Sequence, residues 1–263
     1  MALGLKEYQE RKRAEEARRE EAAKPRVQRF ALQKDGDSAI VRFGQEIDDD
    51  AKGFDPEVGK GVVHIFHTNG DDPKNGFMNA AKCSTETQGA CLPCEKVQNS
   101  NVEWEQRKGW KQKEKFTINV IAGEPKEVEI NGKKKYFTTD LPDDAKGGTV
   151  YLVEQSTYNG IYDSLSNFFL NTKASKETIL GKTFQITRKG SNFNDTSYSI
   201  IPVEDLPKTA TPLKEFELVD VQEVLSDVPY GQQAAFYARG SSPVVEPELA
   251  SATAGASVSE SPW

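Results

Sequence analysis

Four residues of this chain carry side chains that together could hold one metal ion: His67, Cys83, Cys91 and Cys94. Their spacing is His-x15-Cys-x7-Cys-x2-Cys. All three cysteines of the protein fall within twelve positions, whereas cysteines used as small core residues would be scattered. Cys91-Leu92-Pro93-Cys94 is a short knuckle that can aim two thiolates at one point. A third thiolate and an imidazole complete four soft or borderline donors, the tetrahedral set that zinc prefers. Four protein donors leave no coordination position for water, so the site reads as structural rather than catalytic. Other uses of the cysteines stay open here. Three cannot all pair as disulfides, and ordinary free thiols are the bland alternative. A Cys-x-x-Cys pair can also be a redox motif, but that motif opens a helix in a strand–helix–strand unit. Here it lies between polar, loop-like segments at 84–89 and 95–101. The chain has two histidines, His64 and His67. Residues three apart on a strand face opposite sides, so one of them at most can face the ion. His67, beside Thr68-Asn69-Gly70 where the chain can turn, is the preferred ligand.

A second cluster suits a different chemistry. Trp104 to Phe116 interleaves Trp104, Trp110 and Phe116 with the cations Arg107, Lys108, Lys111, Lys113 and Lys115. Aromatic faces stack on unpaired bases and cations follow phosphates, the combination that single-strand binding needs. Arg42, Lys135, Tyr136, Tyr158 and Arg188 lie on or near segments that could line the same groove. The alternative is that the tryptophans cap a core and the lysines solvate a loop. For catalysis there is little: no phosphate loop, no nucleophile elbow and no His-Glu-x-x-His. The acidic runs Asp48–Asp50 and Asp71–Asp72 read as solvated loops. The expectation is a protein that is not an enzyme.

The elements that must position these residues are mostly strands. Phe30–Lys34 and Ala39–Phe43, joined by Asp35-Gly36-Asp37-Ser38, read as a hairpin. Val62–Phe66, Lys115–Ala122 and Thr149–Val153 read as strands. Glu127–Ile130 and Lys135–Thr138, across Asn131-Gly132, read as a second hairpin. Lys182–Arg188 pairs with Thr196–Ile201. Tyr158–Asn171 reads as a helix or long loop with Tyr162, Leu165 and Phe169 on one side, and Phe216–Leu225 as a short helix. Many short strands predict a mainly β chain, an OB-like barrel with an inserted structural zinc subdomain at about 62–100, within a core spanning 26–227.

Composition bounds the remainder. Residues are 36% hydrophobic and 29% charged, against a usual apolar share of about 45–50% with glycine included; part of the chain is therefore expected to lie outside a packed core. Residues 1–25 form a charged helical arm: Ala, Glu, Arg and Lys dominate 5–24, with Glu7–Arg11 and Arg11–Glu15 at helical spacing. Residues 228–263 read as a disordered tail ending in Trp263, an aromatic tip suited to docking on a partner. From Glu204 onward there are ten acidic and three basic residues, the whole of the net charge of −7. Residues 1–203 are thus neutral overall, so the acidic balance does not exclude a nucleic-acid partner. No apolar run reaches about 18 residues and the N-terminus is densely charged. A cytoplasmic protein without a membrane partner is expected.

Several fragments together resemble a family. They are Phe30–Phe43, the segment with His67, Cys83, Cys91, Pro93 and Cys94, the strand Phe116–Val120, and Ile186–Gly190 with Thr196–Tyr198. Over residues 26–203 the chain resembles bacteriophage single-stranded DNA-binding proteins of the T4-type helix-destabilising family. The resemblance implies an OB-fold with an embedded zinc site on His67, Cys83, Cys91 and Cys94. It implies sequence-independent binding of single-stranded DNA in phage replication, recombination and repair, in the host cytoplasm. It also implies an acidic tail that recruits replication or recombination proteins. Self-association along DNA is a further expectation, although residues 5–24 alternate charge and do not match the family's basic arm. The other classes in play are a zinc-stabilised regulator of double-stranded nucleic acid and a metal-dependent enzyme. The first would need a recognition helix, the second an open coordination position.

Overall fold

The computed structural model describes Lys12 and residues 28–72, 79–99, 101, 104–130, 132–158, 160–172, 178–190 and 195–238. The charged N-terminal arm, apart from a helical Lys12, and the tail beyond 238 with Trp263 lie outside the described residues. The described strands are, in chain order, β1 (Ser38–Phe43), β2 (Val62–His67), β3 (Ala81–Lys82), β4 (Lys113–Ala122), β5 (Lys126–Ile130), β6 (Lys133–Phe137), β7 (Thr149–Ser156), β8 (Lys182–Lys189) and β9 (Ser197–Asp205). The helices are α1 (Thr85–Gln88), α2 (Leu92–Gln98), α3 (Trp104–Trp110), α4 (Ile161–Thr172) and α5 (Tyr230–Ala238). The chain divides into two units. One comprises Met1–Phe66 and Gln112–Asp227; the other comprises His67–Lys111 and Val228–Trp263.

The first unit is an antiparallel sheet organised by β4. On one side β4 pairs along its length with β7, from Lys115↔Ser156 to Ala122↔Thr149. On the other side its first half pairs with β2 and its second half with β1. β1 continues to β8 and β8 to β9. Phe116, Ile118, Val120 and Ala122 of β4 enter a core with Val41, Phe43, Tyr151, Val153, Phe184 and Ile186. Ile121 enters a second cluster with Leu141 and Ala145. Alternating residues point to opposite faces, so burial on both sides shows that β4 is covered on both. α4 contributes Ile161 and Leu165 to the main core, and its Tyr162 ring lies 4.9 Å from that of Phe116. The fold is mainly β, and the hydrogen-bonded sheet is not closed into a barrel among the described residues.

Two expected elements are corrected. Phe30–Lys34 is not a strand on β1. The turn does form, with Asp37 Oδ2 accepting the N–H groups of Gln33 and Lys34 at 3.0 and 2.7 Å. The preceding backbone instead bonds to β7, Phe30 N donating to Leu152 O at 3.0 Å, and β1 takes β8 as its partner. Phe216–Leu225 is not a helix, although a single 3-10 turn occupies Leu213–Glu215. Buried Asn119 binds the segment by its backbone, accepting from Val219 N at 3.1 Å and donating to Val219 O at 2.8 Å. A side chain that takes both backbone groups of one residue removes them from any helical ladder.

The second unit begins at His67 and includes the last described helix. Val62–Phe66, just before His67, pairs with β4 of the first unit. Reading residues 228–263 as disordered is corrected for its first part. α5 packs Tyr237 edge-on against Trp110, ring centroids 5.1 Å apart, in a cluster with Ala81 and Val228. Three aromatics, Tyr230, Phe236 and Tyr237, distinguish this stretch from the Ser- and Ala-rich sequence that follows.

Candidate metal centre and nucleic-acid-binding side chains

His67, Cys83, Cys91 and Cys94 converge. Their donor atoms all lie within 4.8 Å of one another. His67 stands at the end of β2, Cys83 directly after β3, Cys91 at the N-cap of α2 and Cys94 in its first turn. The Cys83 and Cys94 sulfurs are 3.7 Å apart, and Cys94 Sγ is 3.4 Å from His67 Nε2. A tetrahedral ion with bonds of about 2.3 Å to sulfur and 2.0–2.1 Å to nitrogen would space these atoms about 3.8 and 3.6 Å apart. The cluster can hold one metal ion, and its spacing and donor chemistry are compatible with zinc. None of the three cysteines is in a disulfide.

Surrounding groups fix the donors. His67 Nδ1 donates to the Trp110 carbonyl at 2.8 Å, which leaves the Nε2 lone pair facing the sulfurs. That contact needs a close backbone approach. A Cβ on Gly70 would lie 2.6 Å from Trp110 N, and one on Gly109 would lie 2.8 Å from Gly70 Cα. Burial pushes the Cys94 thiol up to about 11, with the neighbouring Cys83 and Cys91 sulfurs adding to the rise; a bound cation opposes this by favouring thiolate. Gln233 of α5, fully buried, was not foreseen from sequence. Its Nε2 donates to Ser84 Oγ at 2.7 Å and its Oε1 accepts from Leu92 N at 2.8 Å. It thereby ties together the residues following Cys83 and Cys91. His64 lies elsewhere, its Nε2 donating to Val221 O at 2.9 Å.

The groups expected to contact nucleic acid separate by burial. Trp110 and Phe116 are 1% and 0% exposed and are corrected: neither offers a ring to a base. Arg42 is corrected too. It is 4% exposed, donates to Thr211 O at 2.7 Å and lies over the Phe216 ring, and burial lowers its pKa. Arg188 spends its guanidinium on Leu32 O, Gly190 O and Thr196 Oγ1, and so braces a loop. Lys113 is half-buried, with its pKa lowered by desolvation.

Other candidates remain open to solvent. In the second unit Trp104 is 56% exposed. Its ring carries two cations, Arg107 at 5.5 Å and Lys111 at 5.0 Å from the centroid, and Lys108 is exposed on the same helix. In the first unit Tyr158 is 79% exposed after β7, and Lys135 and Tyr136 are exposed on β6. No helix among the described residues is long and apolar enough to cross a membrane. Comparison with protein-family models and with curated proteins finds no match.

Proposed function

We propose that this chain is a sequence-tolerant single-stranded DNA-binding protein, of the kind that bacteriophages use in replication, recombination and repair. Its first unit is read as an OB-like β core. Its second is read as a subdomain held by one structural zinc ion on His67, Cys83, Cys91 and Cys94. The observation that carries the reading is Trp104: a large indole left 56% exposed, with two cations over its ring. An exposed aromatic face stacks on any base, and flanking cations attract phosphate without reading sequence. The four-donor set supports a structural role for the metal, because it offers no open position for a reacting water. Lys108, exposed on the same helix, adds a further cation for phosphate. The family resemblance of residues 26–203 points to the same function.

The test is competition. Labelled single-stranded oligonucleotide bound to the zinc-replete protein should be displaced equally by unlabelled single strands of different sequence, and poorly by duplex. Equal or better displacement by duplex would favour a regulator of double-stranded nucleic acid instead.

A further inference from the structure

The hairpin β5–β6 stands apart from the main sheet as a two-stranded ribbon, closed by Gly132 at φ +72°. Its register is Lys126↔Phe137, Glu127↔Tyr136, Val128↔Lys135 and Glu129↔Lys134. Residues directly opposite share a face, and neighbours along a strand take opposite faces. One face therefore holds Glu127, Glu129, Lys134 and Tyr136. The other holds Lys126, Val128, Lys135 and Phe137. Side-chain contacts agree with this division. Lys134 Nζ is 2.8 Å from Glu127 Oε1, and the same carboxylate hydrogen-bonds Tyr136, raising the pKa of its phenol. On the Tyr136 face the lysine is already neutralised and the phenol is occupied. Among the described side chains, the opposite face carries two exposed lysines and no carboxylate, with half-buried Val128 and Phe137 beside them.

From this asymmetry we infer that the hairpin is a one-sided phosphate rail: the Lys126 and Lys135 face lies along the sugar–phosphate backbone of the bound single strand, and the Tyr136 face turns away from it. The inference rests on the single-strand-binding reading above. Its occupant follows from charge: a lysine pair without carboxylates attracts a polyanion, and the acidic face repels one. Lys135 and Tyr136, adjacent in sequence, thus fall on opposite sides of the question.

The experiment compares K126Q/K135Q, Y136A and unaltered protein in titrations with single-stranded DNA across a salt series. All affected side chains are exposed, so melting temperatures should agree within a few degrees. The double variant should show a salt dependence shallower by about 1.4 in log–log slope, at about 0.7 per lost phosphate contact. Y136A should match the unaltered protein in affinity within about twofold and in slope. An unchanged slope in K126Q/K135Q, or a tenfold loss of affinity in Y136A, overturns the rail while leaving single-strand binding in place. Failure of the unaltered protein to bind single strands overturns the functional reading, and the rail with it.

Discussion

Replacing Trp104 with alanine should cost DNA binding, and replacing Trp110 should cost folding. Trp110 is fully buried, meets Tyr237 edge-on, donates from Nε1 to Asp71 at 2.9 Å and lies beneath the Lys96 ammonium. Truncating a buried aromatic of this size typically costs about 3–5 kcal/mol. The loss falls in the unit that carries the metal cluster, so the W110A protein should also hold metal less tightly. Trp104 is 56% exposed, with Arg107 and Lys111 over its ring. Exposed cation–π contacts are worth about 0.5–1 kcal/mol each, so stability should change little. Loss of a stacked base costs about 1–3 kcal/mol, equivalent to roughly a 5- to 140-fold weaker Kd. Urea denaturation followed by circular dichroism gives the first quantity, and anisotropy with a labelled oligonucleotide gives the second. A W110A protein of normal stability with lost binding, or a W104A protein that binds normally, would refute the assignment of the two rings.

Three further outcomes follow from the described contacts. H67A and C94S should lose bound metal and on the order of 4 kcal/mol or more of stability. H64A should keep a full equivalent of metal; metal analysis of the three purified variants decides this. Q233A should destabilise by about 1–3 kcal/mol, measured by denaturation, because Leu92 N loses its acceptor while Ser84 Oγ keeps its bond to Ala90 O. Glu46 is buried, and desolvation raises its pKa despite hydrogen bonds from Thr178 and Ile179. A carboxyl whose folded value lies above its unfolded one binds more protons when folded, so its contribution to stability falls as pH rises above about 4.5. E46Q should flatten that decline in urea midpoints measured against pH; an unchanged slope would remove Glu46 as its source.

The four-donor cluster was legible in the sequence because few side chains have this chemistry and three of the four lie within twelve positions. Both later hairpins were legible for a similar reason: the turn signals at Asn131-Gly132 and before Thr196 join segments that pair with each other. The partner of β1 was not. Its turn at Asp35–Asp37 forms as expected, but the strand it pairs with is far away in sequence, and alternation alone does not name it. The same limit applies to Trp104 and Trp110. They are six residues apart in similar surroundings, and only tertiary packing against Tyr237 buries one of them. Composition also concealed α5, since averaging 228–263 dilutes Tyr230, Phe236 and Tyr237 with the Ser- and Ala-rich residues beyond.

The most direct measurement is a titration of zinc-replete protein with single-stranded oligonucleotides of several sequences and with matched duplex, at two salt concentrations, followed by tryptophan fluorescence. Single-strand binding should be tight, similar for all sequences, weaker at the higher salt, and accompanied by quenching that W104A abolishes. Binding that favours duplex, or no binding of single strands at either salt concentration, would contradict it.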